Sequence, residues 1–378
     1  MEATTTFCER TVICMTLERS ERDYGIDLLR LFAMGLIILH HLLSHGGLMF
    51  AFSDFAATGI AVHLLNAFAR CAVNAYALIS GYVLVTSRFR PSRLIALWLQ
   101  VLFYGVLAVV CLPLMGASAS IGDWLDALFP ITHNNYWYFT CYVPVFLFSP
   151  FLNKLLHGMN QRQNRLMTTA LIVLFSLMPT ISLGDLFQLN DGYHFVWLMV
   201  LYLMGGSIRL HGFGWLKNKA VAAITFVICG LLGWACRLGM IAIGASKLHE
   251  LLLAYTSPTM LLCGLSLLSL FQGLKLPQRI CQLIAVLSPL SFGVYLIHDN
   301  PLVREHLVIS STASLAGFSP LHLLLALAGC WAGVYSVCLL MEYLRTRLFV
   351  LLRIPALCTA AEKRLLHWSA NDSLDINR

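Results

Sequence analysis

The residues best suited to chemistry lie in one apolar run near the start of the chain. It opens Gly25-Ile26-Asp27-Leu28-Leu29-Arg30, continues through nine apolar or small residues, and reaches His40-His41-Leu42-Leu43-Ser44-His45. Arg30 and His41 are eleven positions apart. On a helix that is three turns plus about 20°, so both fall on one face, roughly 16 Å apart along the axis. His45 follows one turn later and extends the stripe, whereas His40 points elsewhere. A guanidinium suits a phosphate or a pantetheine-linked donor. An imidazole in a water-poor cavity suits proton removal from a sugar hydroxyl. The alternative is that Arg30 snorkels to headgroups and the histidines bond neighbouring helices.

Three further regions carry polar residues into apolar surroundings. The first runs from Arg70 through Asn74 and Tyr76 to Ser80-Gly81-Tyr82, then to Arg88-Phe89-Arg90-Pro91-Ser92-Arg93. The Ser-Gly pair permits close helix approach and a break. Pro91 at a helix start leaves backbone donors facing an anion, and Arg90 and Arg93 flank it. The plainer reading is ordinary loop charge. Next come Asn134-Asn135-Tyr136-Trp137-Tyr138 and Gly192-Tyr193-His194. Such aromatics anchor a helix at the interface or stack on a sugar that the asparagines and His194 hydrogen-bond. Last, Tyr295-Leu296-Ile297-His298-Asp299-Asn300-Pro301 leads to Arg304-Glu305. Adjacent His298 and Asp299 cannot pair face to face on one turn, but they can orient partners on neighbouring helices. Charged groups inside hydrocarbon are costly, which makes each of them a functional candidate.

The elements that hold these residues are written in the composition. Of 378 residues, 59% are hydrophobic and 11% charged, and mean hydropathy is +0.77. Soluble domains carry roughly 25% charged residues, so the chain reads as an all-α polytopic membrane bundle. Apolar runs of membrane-spanning length fall at about 26–44, 59–85, 94–113, 137–156, 167–183, 193–210, 219–244, 252–272, 284–303 and 320–344, about ten spans. The stretch from Ser288 to Leu302, with Pro289 and Pro301, invites a broken or re-entrant reading.

Lysine and arginine alternate loop by loop. Arg10, Arg19, Arg88, Arg90, Arg93, Arg162, Arg165, Lys217 and Lys275 fall on one side, which predicts cytoplasmic N- and C-termini. The net charge of +7 is then a topology signal. No loop offers a basic stripe with interleaved aromatics, so nucleic acid is a poor partner. The segment 1–24 lacks an apolar core followed by a small-residue cleavage site, so it is not a signal peptide. The 12 cysteines are scattered without any C-x-x-C pair, indicating neither a disulfide framework nor a metal site. The domain reading is a cytoplasmic segment 1–24, a transmembrane domain 25–347, and a polar, loosely ordered cytoplasmic tail 348–378.

Taken in order, these motifs resemble the acyltransferase-3 family of membrane O-acyltransferases, in particular bacterial members that O-acetylate polysaccharides. The resemblance rests on Ile26-Asp27-Leu28-Leu29-Arg30 with His41 after ten intervening residues, on Ile79-Ser80-Gly81-Tyr82, and on Arg90-Pro91-Ser92-Arg93. It continues through Trp137-Tyr138-Phe139 to Pro150-Phe151-Leu152-Asn153, Leu201-Tyr202-Leu203-Met204-Gly205 and Tyr295-Leu296-Ile297-His298.

The resemblance implies a ten-helix bundle in the bacterial inner membrane. It would move an acetyl group from cytoplasmic acetyl-CoA, its acyl-CoA donor, to a hydroxyl of a glycan or lipid-linked saccharide among the membrane lipids. The family's functional residues map onto Arg30, His41, Arg90 and Arg93. On this reading His41 is the base or the acyl carrier, with His40 a second candidate, and Arg30, Arg90 and Arg93 hold the donor. Ser80, Tyr82 or Asn74 supplies an oxyanion donor. His45, Asn74, Asn134, Trp137, His194, His298 and Asp299 contact the acceptor. The competing reading is a proton-coupled transporter or flippase of a glycan intermediate.

Overall fold

Long apolar runs in hydrocarbon have no water to satisfy their backbone, and helices satisfy it within the segment. The computed structural model describes residues 22–309 and 311–370, and every regular element among them is helical. The residues before position 22, including Arg10 and Arg19 and most of segment 1–24, lie outside the described residues.

Among the described residues, eight helical segments are long and apolar enough to cross a membrane: Tyr24–Ser44, Ala57–Leu84, Pro91–Leu114, Trp137–Gly158, Gln161–Ile181, Lys219–Ala242, Gln278–His298 and Pro320–Leu351. Two shorter apolar helices, Phe195–His211 and Pro258–Phe271, sit where two more spans are expected. At 1.5 Å per residue they reach about 25 and 21 Å, less than a full hydrocarbon core. Each is preceded by irregular chain. Leu253 to Ser257 is buried yet turns rather than coils, and the turn Asn190–Gly192 precedes the other. Apolarity set the expected length of the span at 252–272, and the buried turn Leu253 to Ser257 took up part of it.

Local chemistry fixes the boundaries. Asp23 caps the first helix by accepting from the backbone N–H groups of Gly25 and Ile26. Proline sits in the first turn of the helices at Pro91, Pro258 and Pro320. The segment Gln278–His298 is broken, as the prolines suggested, and is still long enough to span. Ser288–Leu290 tightens into a single 3₁₀ turn at Pro289, which lacks the N–H an α-turn needs, and the helix then resumes as Ser291–His298. The break in Ala57–Leu84 falls at Cys71, between Ala57–Arg70 and Ala72–Leu84, rather than at Ser80-Gly81. Gly81 serves close approach instead. A Cβ there would collide with the carbonyl oxygen of Tyr202, and one on Gly205 with that of Leu78.

The first helix is central and packs against Ala57–Arg70, Ala72–Leu84, Pro258–Phe271, Ser291–His298 and Pro320–Leu351. By contrast Gln161–Ile181 and Pro320–Leu351 are only 17% buried although apolar. Those exposed apolar faces are the ones lipid would cover. The chain beyond Leu351 is not irregular. A further helix, Ile354–Ala370, packs on Pro91–Cys111, and Ser92 donates to Glu362 at 2.9 Å.

Candidate active site

The first helix delivers its two chemical ends to two separate cavities. Arg30 lines a cavity of about 220 Å³ with Ser80, Leu97, Tyr142 and Ser288. His40, His41 and His45 line a second cavity of about 310 Å³, together with Arg70, Trp137 and Asp299. The cavities share three wall residues, Tyr76, Tyr138 and Phe292, which therefore stand at the boundary, or neck, between them. Those three come from the helices Ala72–Leu84, Trp137–Gly158 and Ser291–His298.

At the Arg30 end the cation is held but not buried out of reach. Arg30 donates to Asp27 at 2.9 Å and to Ser288 Oγ at 3.1 Å, and Ser288 donates to Asp27 at 2.9 Å. The proline turn is what presents Ser288 to this pair. Arg90 and Arg93 are exposed, and their guanidinium groups make no hydrogen bond or ion pair with a described residue. Leu97, one turn beyond Arg93, lines the cavity, so Arg93 stands toward its rim, and Arg90 is the N-cap of the same helix.

At the His41 end the hydrogen bonds fix a tautomer. His298 Nδ1 lies 2.6 Å from the carbonyl oxygen of Val294, which can only accept, so His298 Nδ1 carries a proton. In the neutral ring, Nε2 of His298 is then an acceptor. It sits 3.0 Å from His41 Nδ1, and Asp299 Oδ1 is 3.6 Å from the same nitrogen. Two acceptors face His41 Nδ1, so that atom holds the proton and Nε2 keeps its lone pair. A carboxylate behind the ring also stabilises the imidazolium that proton uptake would create. Asp299 is buried and paired with Arg304 at 3.2 Å.

His40 also reaches the cavity, so it does not simply point away. Its Nδ1 is 2.6 Å from Asn66 Oδ1, a neutral amide, and Arg70 lines the same space. No carboxylate among the described residues backs His40, so its ring lacks the charge partner that His41 has in Asp299. His41, His45 and Asp299 bring one ligand atom each within 4.8 Å of one another. A divalent cation there would meet the Arg304 guanidinium already paired with Asp299, so the cluster is better suited to handling protons.

The sequence-predicted residues divide accordingly. His41, His45, Trp137 and Asp299 meet in the larger cavity, while Arg30 and Ser80 meet in the smaller one. His298 lines neither and instead positions His41. Asn74 is fully buried and spent on structure, donating to Tyr255 O at 2.8 Å and accepting from Trp197 Nε1 at 3.1 Å. Tyr82 lines neither cavity; its hydroxyl accepts from Arg209 at 3.2 Å. Asn134 is exposed in a loop at positive φ (51°). His194 caps the helix Phe195–His211 by accepting from Val196 N at 3.3 Å. These last four do not join the others in the cavities. Each lies outside both cavities, and a bundle gives such residues local work as caps and interhelical bonds.

Sequence reasoning passed over Asn66, Tyr76, Tyr138 and Tyr295 as site residues. Only the run of aromatics around Tyr138 hinted at them, and it reads equally well as an interfacial belt. The larger cavity's mouth is braced by ion pairs between loops and helix: Arg70–Glu250, Arg237–Glu250 at 3.1 Å and Arg237–Asp54 at 2.7 Å.

No match is found among curated proteins or solved structures. The family model for the acyltransferase-3 domain, described as an acyltransferase domain, matches residues 23–342, which covers both cavities and every residue of the neck. A match over this much of the chain carries the assignment: the chain belongs to the acyltransferase-3 family of membrane acyltransferases.

Proposed function

We propose that the protein transfers an acetyl group from cytoplasmic acetyl-CoA to a hydroxyl of a glycan or lipid-linked saccharide at the inner membrane of a bacterium. The observation that carries this reading is the pair of cavities sharing a three-residue boundary, one holding Arg30 and the other His41. Donor and acceptor have separate chambers and a common boundary, which is what bringing two bound reactants together requires.

In this mechanism the CoA phosphates rest against Arg90 and Arg93, with Arg30 further in. The thioester reaches the neck. His41 Nε2 accepts the acceptor's hydroxyl proton, and the oxygen attacks the thioester carbon. His298 and Asp299 hold His41 in the required tautomer throughout. Direct transfer needs no acyl-histidine, since the two cavities meet.

A transporter would also place titratable groups within the bundle, yet it has no need of free cations at one mouth and a tautomer-locked base at the other. The deciding experiment supplies purified protein with acetyl-CoA and measures free thiol release. It is paired with mass spectrometry of surface glycans from cells with and without the protein. Thiol release and a lost acetyl mass on the glycan support the transferase. Glycan relocation without acetyl-CoA consumption supports the transporter.

A further inference from the structure

Acyl transfer puts negative charge on the thioester carbonyl oxygen, and a donor must meet it. The three donors expected from sequence are poorly placed for that. Asn74 is committed at both ends and Tyr82 lines neither cavity. Ser80 already donates, weakly, to Tyr76 O at 3.4 Å.

Two hydroxyls stand at the neck itself. Ser291 donates to Ser288 O at 2.9 Å, so the Tyr76 hydroxyl, 2.9 Å from Ser291 Oγ, must spend its own proton on Ser291. The Tyr138 hydroxyl is different. It is buried and makes no hydrogen bond of good geometry with a described residue; Ser80 is close enough to partner it only weakly. Its ring is fixed by edge contacts with Tyr76 and Tyr295, at 6.0 and 6.2 Å between centroids. A buried hydroxyl left without a good partner carries a desolvation cost that a folded protein rarely tolerates without a reason. Tyr295 is also unpartnered, but it lines only the His41 cavity, whereas Tyr138 lines both.

We propose that Tyr138 is a catalytic residue whose O–H donates to the thioester carbonyl oxygen at the neck; this rests on the acyl-CoA reading above. The acceptor hydroxyl loses its proton to His41 Nε2 as its oxygen bonds to the carbonyl carbon. The C=O π pair moves to oxygen, where Tyr138 stabilises it. Collapse of this intermediate breaks the C–S bond, and the departing thiolate takes the proton back from His41. Acetyl-CoA and alcohol become ester and free CoA, with nothing else consumed.

The test is steady-state acetyl-CoA consumption by full-length protein in native membrane vesicles, comparing wild type with Tyr138→Phe. Phenylalanine keeps the ring packing and removes only a hydroxyl that makes no hydrogen bond of good geometry. The expected result is a kcat lowered about 10²–10³-fold, with KM for acetyl-CoA within about twofold and an unchanged melting temperature. A fluorotyrosine at position 138, with a more acidic phenol, is expected to change kcat while leaving KM alone, which a packing role would not do. A Tyr138→Phe enzyme with kcat within about threefold of wild type overturns the assignment while leaving the transferase reading intact. A wild type that consumes no acetyl-CoA overturns both.

Discussion

The two cavities share three residues and differ in nearly everything else. Around Arg30 the polar groups are compensated on the spot, with Asp27 and Ser288 in a closed triangle and Arg90 and Arg93 left free toward the rim. Around His41 they form a directed chain that runs from Val294 O through His298 to His41 and ends on an unused lone pair. A closed triangle holds a charge still, whereas a directed chain readies a nitrogen to take a proton. On the proposed function one end of the first helix binds and the other reacts, and substitutions at the two ends should separate KM from kcat.

The largest expected effect lies on the reaction side. His41→Ala should lower acetyl-CoA turnover by about 10³-fold or more, within the range for loss of a general base. His40→Ala should stay within about tenfold, since only a neutral amide backs that ring. The reverse order, read from thiol release by the two variants, would move the base to His40. Asp299→Asn should cost about 10²-fold in kcat with little change in KM, because it removes the charge behind the imidazolium while keeping the shape. An unchanged kcat would reduce the chain of bonds to a packing arrangement.

On the binding side, Arg90→Ala and Arg93→Ala should each raise KM for acetyl-CoA about tenfold, or roughly 1.4 kcal/mol, and leave kcat alone. Added salt should shrink that difference, since exposed charges are screened. A loss confined to kcat would remove these arginines from donor docking.

The smallest catalytic effect is expected at Asn74. Asn74→Ala strands Trp197 Nε1 and Tyr255 O in the core, which costs about 1–3 kcal/mol of stability. The melting temperature in detergent should fall, while folded protein turns over normally. A stable Asn74→Ala variant with impaired turnover would return the residue to the site.

How far the sequence could be read follows the same division. Positions fixed by helical period were visible: Arg30 and His41 on one helix face, and spans bounded by proline and charge. The period could not show what stands behind His41, because His298 is 257 positions away and its role depends on how two helices cross. Nor could it separate Asn74 from a ligand contact, since a buried amide looks the same in sequence whether it meets a sugar or Trp197. The aromatics at the neck were legible only as aromatics. Tyr138 differs from Tyr76 by the absence of one hydrogen bond, a distinction that arises from tertiary packing alone.

The account stands or falls on transfer through the neck. Membrane vesicles loaded with radiolabelled acetyl-CoA, and carrying their native saccharide acceptors on the outer face, test this directly. The expected result is labelled acetyl on the outer-face glycans with the wild type and none with His41→Ala. Label appearing only on acceptors on the side that holds the acetyl-CoA, or appearing equally with His41→Ala, would contradict it.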